Sequence, residues 1–258
     1  MRLIWPAAAA LTASFSLPAS AQWQGSIGVG ARSVTHAEYD AAGRQLVREH
    51  GWLPGASLSA AYRQGSLRWF GGADWYGGDI EYAGRTQAGV AAASTTSTRL
   101  GAVRLGASYA VGRDHALAAL EIDRWQRDIL GTAAAAGLQE SYRSTRLLLG
   151  AGTGWRSAAG AISADAAFIL AAPEHMRIGF SGLYDPVSLD TRRGRGLRLE
   201  SAFQPAWASY LQVQARADWL KVPRSAAAPL AANGAFRGTV TQPEHTRKAM
   251  TLALAYLF

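Results

Sequence analysis

A chain of 258 residues without a single cysteine has no disulfide or thiolate metal site available, so packing and backbone pairing alone must hold it. Lysine and arginine outnumber aspartate and glutamate 26 to 18, and the resulting net charge of +8 favours anionic surroundings: phospholipid, lipopolysaccharide or nucleic acid. Nine tryptophans, nine tyrosines and 28 glycines at near-neutral mean hydropathy are unusual for a soluble enzyme and suit a wall that is apolar on one face and polar on the other.

Residues 1–21 read as an export signal. Arg2 is its one charge, an apolar stretch extends to Leu17, and Ala19-Ser20-Ala21 forms a small-residue cleavage site before Gln22. Pro6, Thr12 and Ser14 interrupt the apolar run, which is too short for a membrane-spanning helix. No later run of about 18 apolar residues follows, so no transmembrane helix is expected. The expectation is a cleaved signal peptide over 1–21 and one domain over 22–258.

From there the apolar period is two, in ten segments: about 23–36, 49–63, 67–82, 98–111, 116–129, 140–156, 162–172, 191–204, 210–222 and 246–258. The third sets Leu67, Trp69 and Trp75 against Arg68, Asp74 and Tyr76, and the glycine pairs at 71–72 and 77–78 suggest bulges that shift its register. The sixth sets Leu147, Leu149, Ala151 and Trp155 on its apolar face. Connections after the even segments are short, beginning with Gln64-Gly65. Those after the odd segments are longer, notably 83–97, 173–190 and 223–245. An even number of strands with short turns on one side and long loops on the other predicts an all-β fold: a closed antiparallel transmembrane β-barrel. Ten strands is the expected count, with eight or twelve as alternatives. A soluble β-sandwich leaves the outward Trp and Leu unexplained.

The last segment carries a resemblance. Thr251-Leu-Ala-Leu-Ala-Tyr-Leu-Phe258 ends on an aromatic, with Leu252, Leu254 and Tyr256 on the same face. It resembles the closing strand of a small bacterial outer-membrane β-barrel, in which the terminal aromatic is read by the barrel-assembly machinery. The resemblance implies a place in the outer membrane of a Gram-negative bacterium, with Phe258 as the contact to that machinery.

Charges of both signs share the face opposite the apolar one: Arg32, Arg63, Arg68, Asp74, Arg104, Glu121, Asp123, Arg127, Glu140, Arg146, Asp165, Arg198, Glu200, Arg216, Asp218 and Arg247. The interior of a ten-stranded barrel is narrow and long side chains largely fill it, so these charges are expected to pair into a plug. A selectivity path through a narrow pore is the alternative. A second group, Arg99, Arg124, Arg143, Arg193, Arg195, Lys221 and Lys248, has lipid-facing parity near the long-loop end. Guanidinium forks bind phosphate bidentately, so this belt is a candidate lipopolysaccharide site; snorkelling to water at strand ends is the alternative.

The plan also resembles the ten-stranded omptin proteases, which place acidic pairs and an Asp/His dyad at the extracellular rim. Asp79, Glu81, Glu174 and His175 hold comparable locations and are the rim candidates that the resemblance implies. They depart from that pattern, because Glu174 and His175 are adjacent and the acidic partner is Glu. Lipid A deacylases are similar small barrels with a His-Ser-Glu site, but no His-x-Ser spacing occurs here. Gly28-Val-Gly30 and Gly150-Ala-Gly152 lie within strands and are not nucleotide loops. The segment from Gly78 to Gly89 resembles an acidic, aromatic, Thr-Gln pattern of small outer-membrane barrels and reads as a shaped loop or a hairpin extension. The expected function is a non-enzymatic surface barrel with a charged, largely plugged lumen and loops that bind ligand or support the envelope, without metal or cofactor and without nucleic acid. A narrow passive channel and a rim protease are the alternatives.

Overall fold

The computed structural model describes residues 22–85, 90–133 and 135–258; the signal peptide expected over 1–21 and the end of the Gly78–Gly89 segment lie outside them. Fourteen strands follow in order: β1 (Gln22–Tyr39), β2 (Gln45–Gln64), β3 (Leu67–Arg85), β4 (Ala91–Val111), β5 (Asp114–Ile129), β6 (Leu138–Ser157), β7 (Gly160–Ala171), β8 (His175–Gly179), β9 (Val187–Asp190), β10 (Gly194–Pro205), β11 (Leu211–Val222), β12 (Ala228–Ala232), β13 (Ala235–Val240) and β14 (Glu244–Leu257). Ten of them, β1–β7, β10, β11 and β14, pair antiparallel in a ring. Pairing of β5 with β6 and of β1 with β14 closes it.

The register sets the width. Hydrogen-bonded partners traced once round the ring from Trp23, through Tyr62, Trp69, Ala107, Ala118, Leu149, Phe168, Leu197, Trp219 and Lys248, return to β1 at Thr35, twelve residues higher (35 less 23). Ten strands with that stagger tilt by about 40° and enclose a backbone cylinder about 10 Å in radius. An arginine reaching inward from such a wall comes close to the axis.

Outward positions carry the apolar surface, including Ile27, Leu58, Val103, Leu120, Phe168, Leu199 and Leu252, all exposed. Aromatic side chains edge it near the short turns, where the rings of Trp23 and Tyr62 lie 5.0 Å apart and those of Tyr210 and Tyr256 6.0 Å. Trp52, Trp75 and Trp219 mark its other edge. Such a band between aromatic girdles suits a bilayer core. β1–β6 run 16 to 21 residues, well beyond the roughly ten needed to cross it. They therefore extend past the band on the long-loop side.

The glycine pairs of β3 are not bulges. β3 keeps one register against β2, from Gln64↔Leu67 to Arg48↔Ala83, and one against β4 throughout. Glycine is needed on the partner strand instead: a Cβ at Gly55 would lie 2.2 Å from the ring of Tyr76, which points into the lumen. A one-residue bulge occurs where β7 gives way to β8, since Arg146 pairs with Ala171 but Arg143 with His175. It reverses the alternation, so Glu174 faces the lumen although Phe168 and Leu170 face lipid.

Two of the expected long loops are hairpins. β8–β9 and β12–β13 fold over the outer end of the lumen. Met176, Ile178 and Leu189 bury against Trp125 and Tyr142, with Ala228 and Val240 against the same cluster. The Asn233–Gly234 turn, with φ of 53° and 76°, is the pairing favoured by a two-residue hairpin. Its two amides donate to Asp185 (3.2 and 2.9 Å), and Asp185 N donates to Ala231 O (2.9 Å), tying one hairpin to the other. In the first outer turn, the backbone amide of Arg44 and then its guanidinium donate to Asp40 (2.9 and 2.7 Å), holding that carboxyl below its ordinary range.

At the closing seam, Gly25 and Phe258 exchange backbone hydrogen bonds of 2.7 and 3.0 Å, and a Cβ at Gly25 would meet the Phe258 ring at 2.4 Å. A Gly25→Leu variant must displace that ring. It is expected to lose about 1–3 kcal/mol of stability, read from urea unfolding in detergent; an unchanged midpoint would show the ring to be unimportant there.

Candidate functional site: the charged lumen and its outer cap

The inward charges form a ladder along the axis. Near the short turns, Arg104 Nη1 donates to Glu200 at 2.8 Å, and Arg216 joins Glu200 (2.7 Å) to Asp74 (3.0 Å). Arg32 bridges Asp74 (3.9 Å) and Asp218 (3.0 Å). Arg198 then joins Asp218 to Glu121, at 2.6 Å each. Arg146 connects Glu121 (3.3 Å) with Asp123 (2.9 Å). Arg247, 4.0 Å from Asp123, donates to both oxygens of Glu174 at 2.8 Å. These residues lie on β1, β3–β6, β10, β11 and β14 and in the β7–β8 bulge, so the ladder ties most of the wall together across its interior.

At the outer end one guanidinium serves three carboxylates. Arg127 contacts Glu49 (2.9 Å), Glu38 (3.4 Å) and Glu140, and also donates to the hydroxyl of Tyr142 (3.2 Å). Thr96 donates to Glu49 (2.6 Å) and Gln242 to Glu38 (3.1 Å). Trp125 and Tyr142 stack 24° from parallel, with the Arg247 guanidinium 4.4 and 4.9 Å from their ring centres. Side-chain exposure here is 1% for Arg127 and 0% for Glu49, Glu174 and His245. Full desolvation makes such charges depend on their partners.

Of the sixteen inward charges read from the sequence, Asp165 pairs with His115 (2.8 Å) and thirteen are joined in these clusters: Arg32, Asp74, Arg104, Glu121, Asp123, Arg127, Glu140, Arg146, Arg198, Glu200, Arg216, Asp218 and Arg247. Arg63 and Arg68 are not; no carboxylate of a described residue lies within 4.0 Å of either. Glu38, Glu49, His36, His115 and His245 were missed. Alternation from Ser57 back along β2 already places Glu49 inward. Glu38 and His245 fall just beyond, or at the edge of, the strand limits read from hydropathy. Trp125, unlike the outward Trp69 and Trp75, shares the lumen parity of Asp123 and Arg127 and is 4% exposed.

The rim candidates are not brought together. Glu174 lies inside the wall, on Arg247 and His245. His175 points outward and pairs with Asp190 at 2.9 Å. Asp79 and Glu81 are exposed on the outer face of β3, with Glu81 3.2 Å from His50. Two buried His–carboxylate pairs do occur, His36–Glu38 at 3.0 Å and His245–Glu174 at 3.3 Å, with the histidine rings 5.2 Å apart. The void beside His36 and Trp125 measures about 60 Å³, room for about two waters and not for a peptide. Among the described residues, no group of three or more His, Asp or Glu side chains is arranged to hold a metal ion.

The basic residues with lipid-facing parity point away from the lumen. Arg99, Arg124, Arg143, Arg193, Arg195 and Lys248 are exposed, and Lys221 is half-buried against Glu244 (2.8 Å). Arg124 is paired across strands with Arg143, and Arg195 with Lys221. Like charges side by side destabilise each other unless an anion lies between them.

No family model matches the chain, and no curated protein sequence is similar to it. Among solved structures it is similar to the outer membrane protease OmpT from Escherichia coli, with a TM-score of 0.58, 11% identity, and coverage of 96% of this chain and 99% of that one. More distant likenesses are the translocator domain of the autotransporter NalP from Neisseria meningitidis (TM-score 0.45, 11% identity, 90% and 88% covered) and Ail, the attachment invasion locus protein of Yersinia pestis (0.36, 8%, 91% and 98%). At such identity the first likeness speaks for architecture alone. This chain has the fold of a small bacterial outer-membrane β-barrel, all-β, closed and ten-stranded.

Proposed function

We propose that the protein is a non-enzymatic barrel of the Gram-negative outer membrane, exported with loss of residues 1–21, whose lumen does not conduct and whose outer hairpins present a binding surface. The observation that supports it is the ion-pair ladder, continuous from Arg104 to His245 beneath two interlocked hairpins. A channel needs a water-filled path, and the middle of this lumen holds charged side chains exposed by 12% or less. A rim protease needs a carboxylate and histidine around one substrate cleft; here the wall divides Glu174 from His175, and the outward pairs His175–Asp190 and His50–Glu81 lie apart, on β8–β9 and on β2–β3. In planar bilayers the folded protein is expected to give no discrete conductance steps. Stepwise openings of the unmodified protein would overturn this reading.

The same proposal assigns Arg99, Arg124, Arg143, Arg193, Arg195, Lys221 and Lys248 to lipopolysaccharide phosphates of the outer leaflet, with Phe258 as the contact to the assembly machinery. Cross-strand cation pairs just above an apolar band fit a row of phosphates above acyl chains. Charge removal at Arg143, Arg193 and Arg195 together is expected to lower co-purifying lipopolysaccharide by about tenfold, on the scale of 1–2 kcal/mol. Unchanged co-purification would leave the belt as snorkelling side chains.

A further inference from the structure

We infer that the periplasmic half of the lumen is a blind binding pocket for a small oxyanion, a phosphate or a carboxylate, anchored by Arg68. The reading goes beyond a closed surface barrel, because it gives the space below the ladder a ligand of its own.

The pocket exists because the inward side chains change character near the short turns. Ser26, Gly28, Ser57, Ser59, Gly106 and Ser108 face inward where Arg, Glu and Asp do so higher up. The same 10 Å cylinder, lined by small residues, leaves a cavity of about 250 Å³, the liquid volume of about eight waters. Its lining side chains are wetter than the ladder above: Arg104, Glu200, His115 and Asp165 are 22–26% exposed, against 2–3% for Glu121 and Arg198, which close its top. A solute therefore has to come from the side of the short turns.

Four arginines (Arg68, Arg104, Arg198 and Arg216) and four carboxylates (Asp74, Glu121, Asp165 and Glu200) line this cavity, but they are unevenly paired. Glu200 is held by Arg104 and Arg216, Asp74 by Arg216 and Glu121 by Arg198, and Asp165 lies 2.8 Å from the His115 ring. Arg68 has no carboxylate within 4.0 Å among the described residues. Its guanidinium lies over the ring of Phe70 at 5.4 Å, and Arg104 lies over the same ring at 5.7 Å. Phe70 thus fixes two guanidinium groups without neutralising either. Arg104 meets Glu200 through Nη1 alone, at 2.8 and 3.0 Å, which leaves its remaining edge without a carboxylate. Across the ladder from Arg68 is Arg63, also inward in parity and also without a carboxylate. An oxyanion beside Arg68 would supply the close partner that this guanidinium lacks, because guanidinium forks hold carboxylate and phosphate at two points. Ser59, hydrogen-bonded to Ser26 at 2.7 Å, offers neutral donors in the same space.

The test is equilibrium dialysis of the folded full chain in detergent, with radiolabelled inorganic phosphate and, separately, succinate. At least one probe is expected to bind saturably, and the stronger of the two identifies the headgroup chemistry. Arg68→Gln is expected to weaken that binding about tenfold or more, and Arg68→Lys to restore part of it. Ser59→Leu fills the cavity without altering charge and is expected to abolish binding, a second route should Arg68→Gln fold poorly. Arg44→Gln, in the first outer turn, is expected to bind as the unmodified protein does. Absence of saturation by both probes up to about 10 mM, or wild-type binding by folded Arg68→Gln and Ser59→Leu, would overturn the pocket. Dialysis does not read conductance, so this outcome is separate from that of the bilayer measurement.

Discussion

An Arg127→Met variant is expected to lose about 3–5 kcal/mol of folding stability, the largest single-residue effect in the molecule. Methionine keeps much of the volume and removes the charge. Glu38, Glu49 and Glu140 would then face one another with exposures of 11%, 0% and 8% and without the guanidinium that all three contact. Removing one partner of a buried pair costs more than the pair itself was worth, because the charge left behind cannot return to water. Urea titration of the folded protein in detergent, followed by its shifted electrophoretic mobility, measures the loss. Glu49→Gln and Glu140→Gln in the same chain should recover a large part of it, since they remove the stranded charges. A midpoint equal to that of the unmodified protein would mean that the three carboxylates are relieved in some other way, and the account of the outer cluster would fail.

The second large effect is the appearance of conductance, and it is expected to need more than removal of the cap. Ser225 and Gln242 are already hydrogen-bonded across the base of the β12–β13 hairpin (Ser225 N to Gln242 O, 3.0 Å), so residues 226–241 can be replaced by a short glycine link. That deletion strips Ala228 and Val240 from the cluster over the Trp125–Tyr142 stack and leaves the ladder intact, and bilayers are expected to stay silent. Arg198→Ser with Glu121→Ser, added to the deletion, takes out the two side chains at mid-lumen that are best shielded from water. The pair is removed together, so Arg146 keeps Asp123 and Asp218 keeps Arg32. Discrete openings are expected only then. Conductance from the hairpin deletion alone would move the seal from the ladder to the cap.

Alternation made most of this legible. A period of two, repeated ten times between connections of unequal length, is enough to favour ten strands, closure and a set of side chains that point into the lumen. It could not find Glu174, because one extra residue between Ala171 and His175 reverses parity at that point and nothing in the hydropathy marks the bulge. For the same reason the rim site implied by omptin resemblance placed Glu174 with His175, which the wall separates. The glycine pairs of β3 misled in the opposite direction. Glycine in a strand suggests a shifted register, but near this lumen it makes room for aromatic rings, as Gly55 does for Tyr76. The two outer hairpins read as loops because strands of four to six residues show too few alternations to register. The belt was read from parity and charge alone.

The seam between β1 and β14 has a consequence for how the barrel comes into being. Each other join in the ring links strands that follow one another along the wall, and each can zip from its own turn. The seam links Ser26 to Leu257 and runs through fourteen residue pairs, while β14 makes twelve more with β11. Until β14 arrives, β1 and β11 both present rows of unsatisfied amides and carbonyls, which lipid cannot solvate. A nine-stranded intermediate is therefore not a slightly weaker barrel but an open sheet prone to pair with whatever edge it meets. Closure of the most distant contact in the sequence is expected to set the pace of folding, and loss of β14 should act as an all-or-none defect and not a graded one.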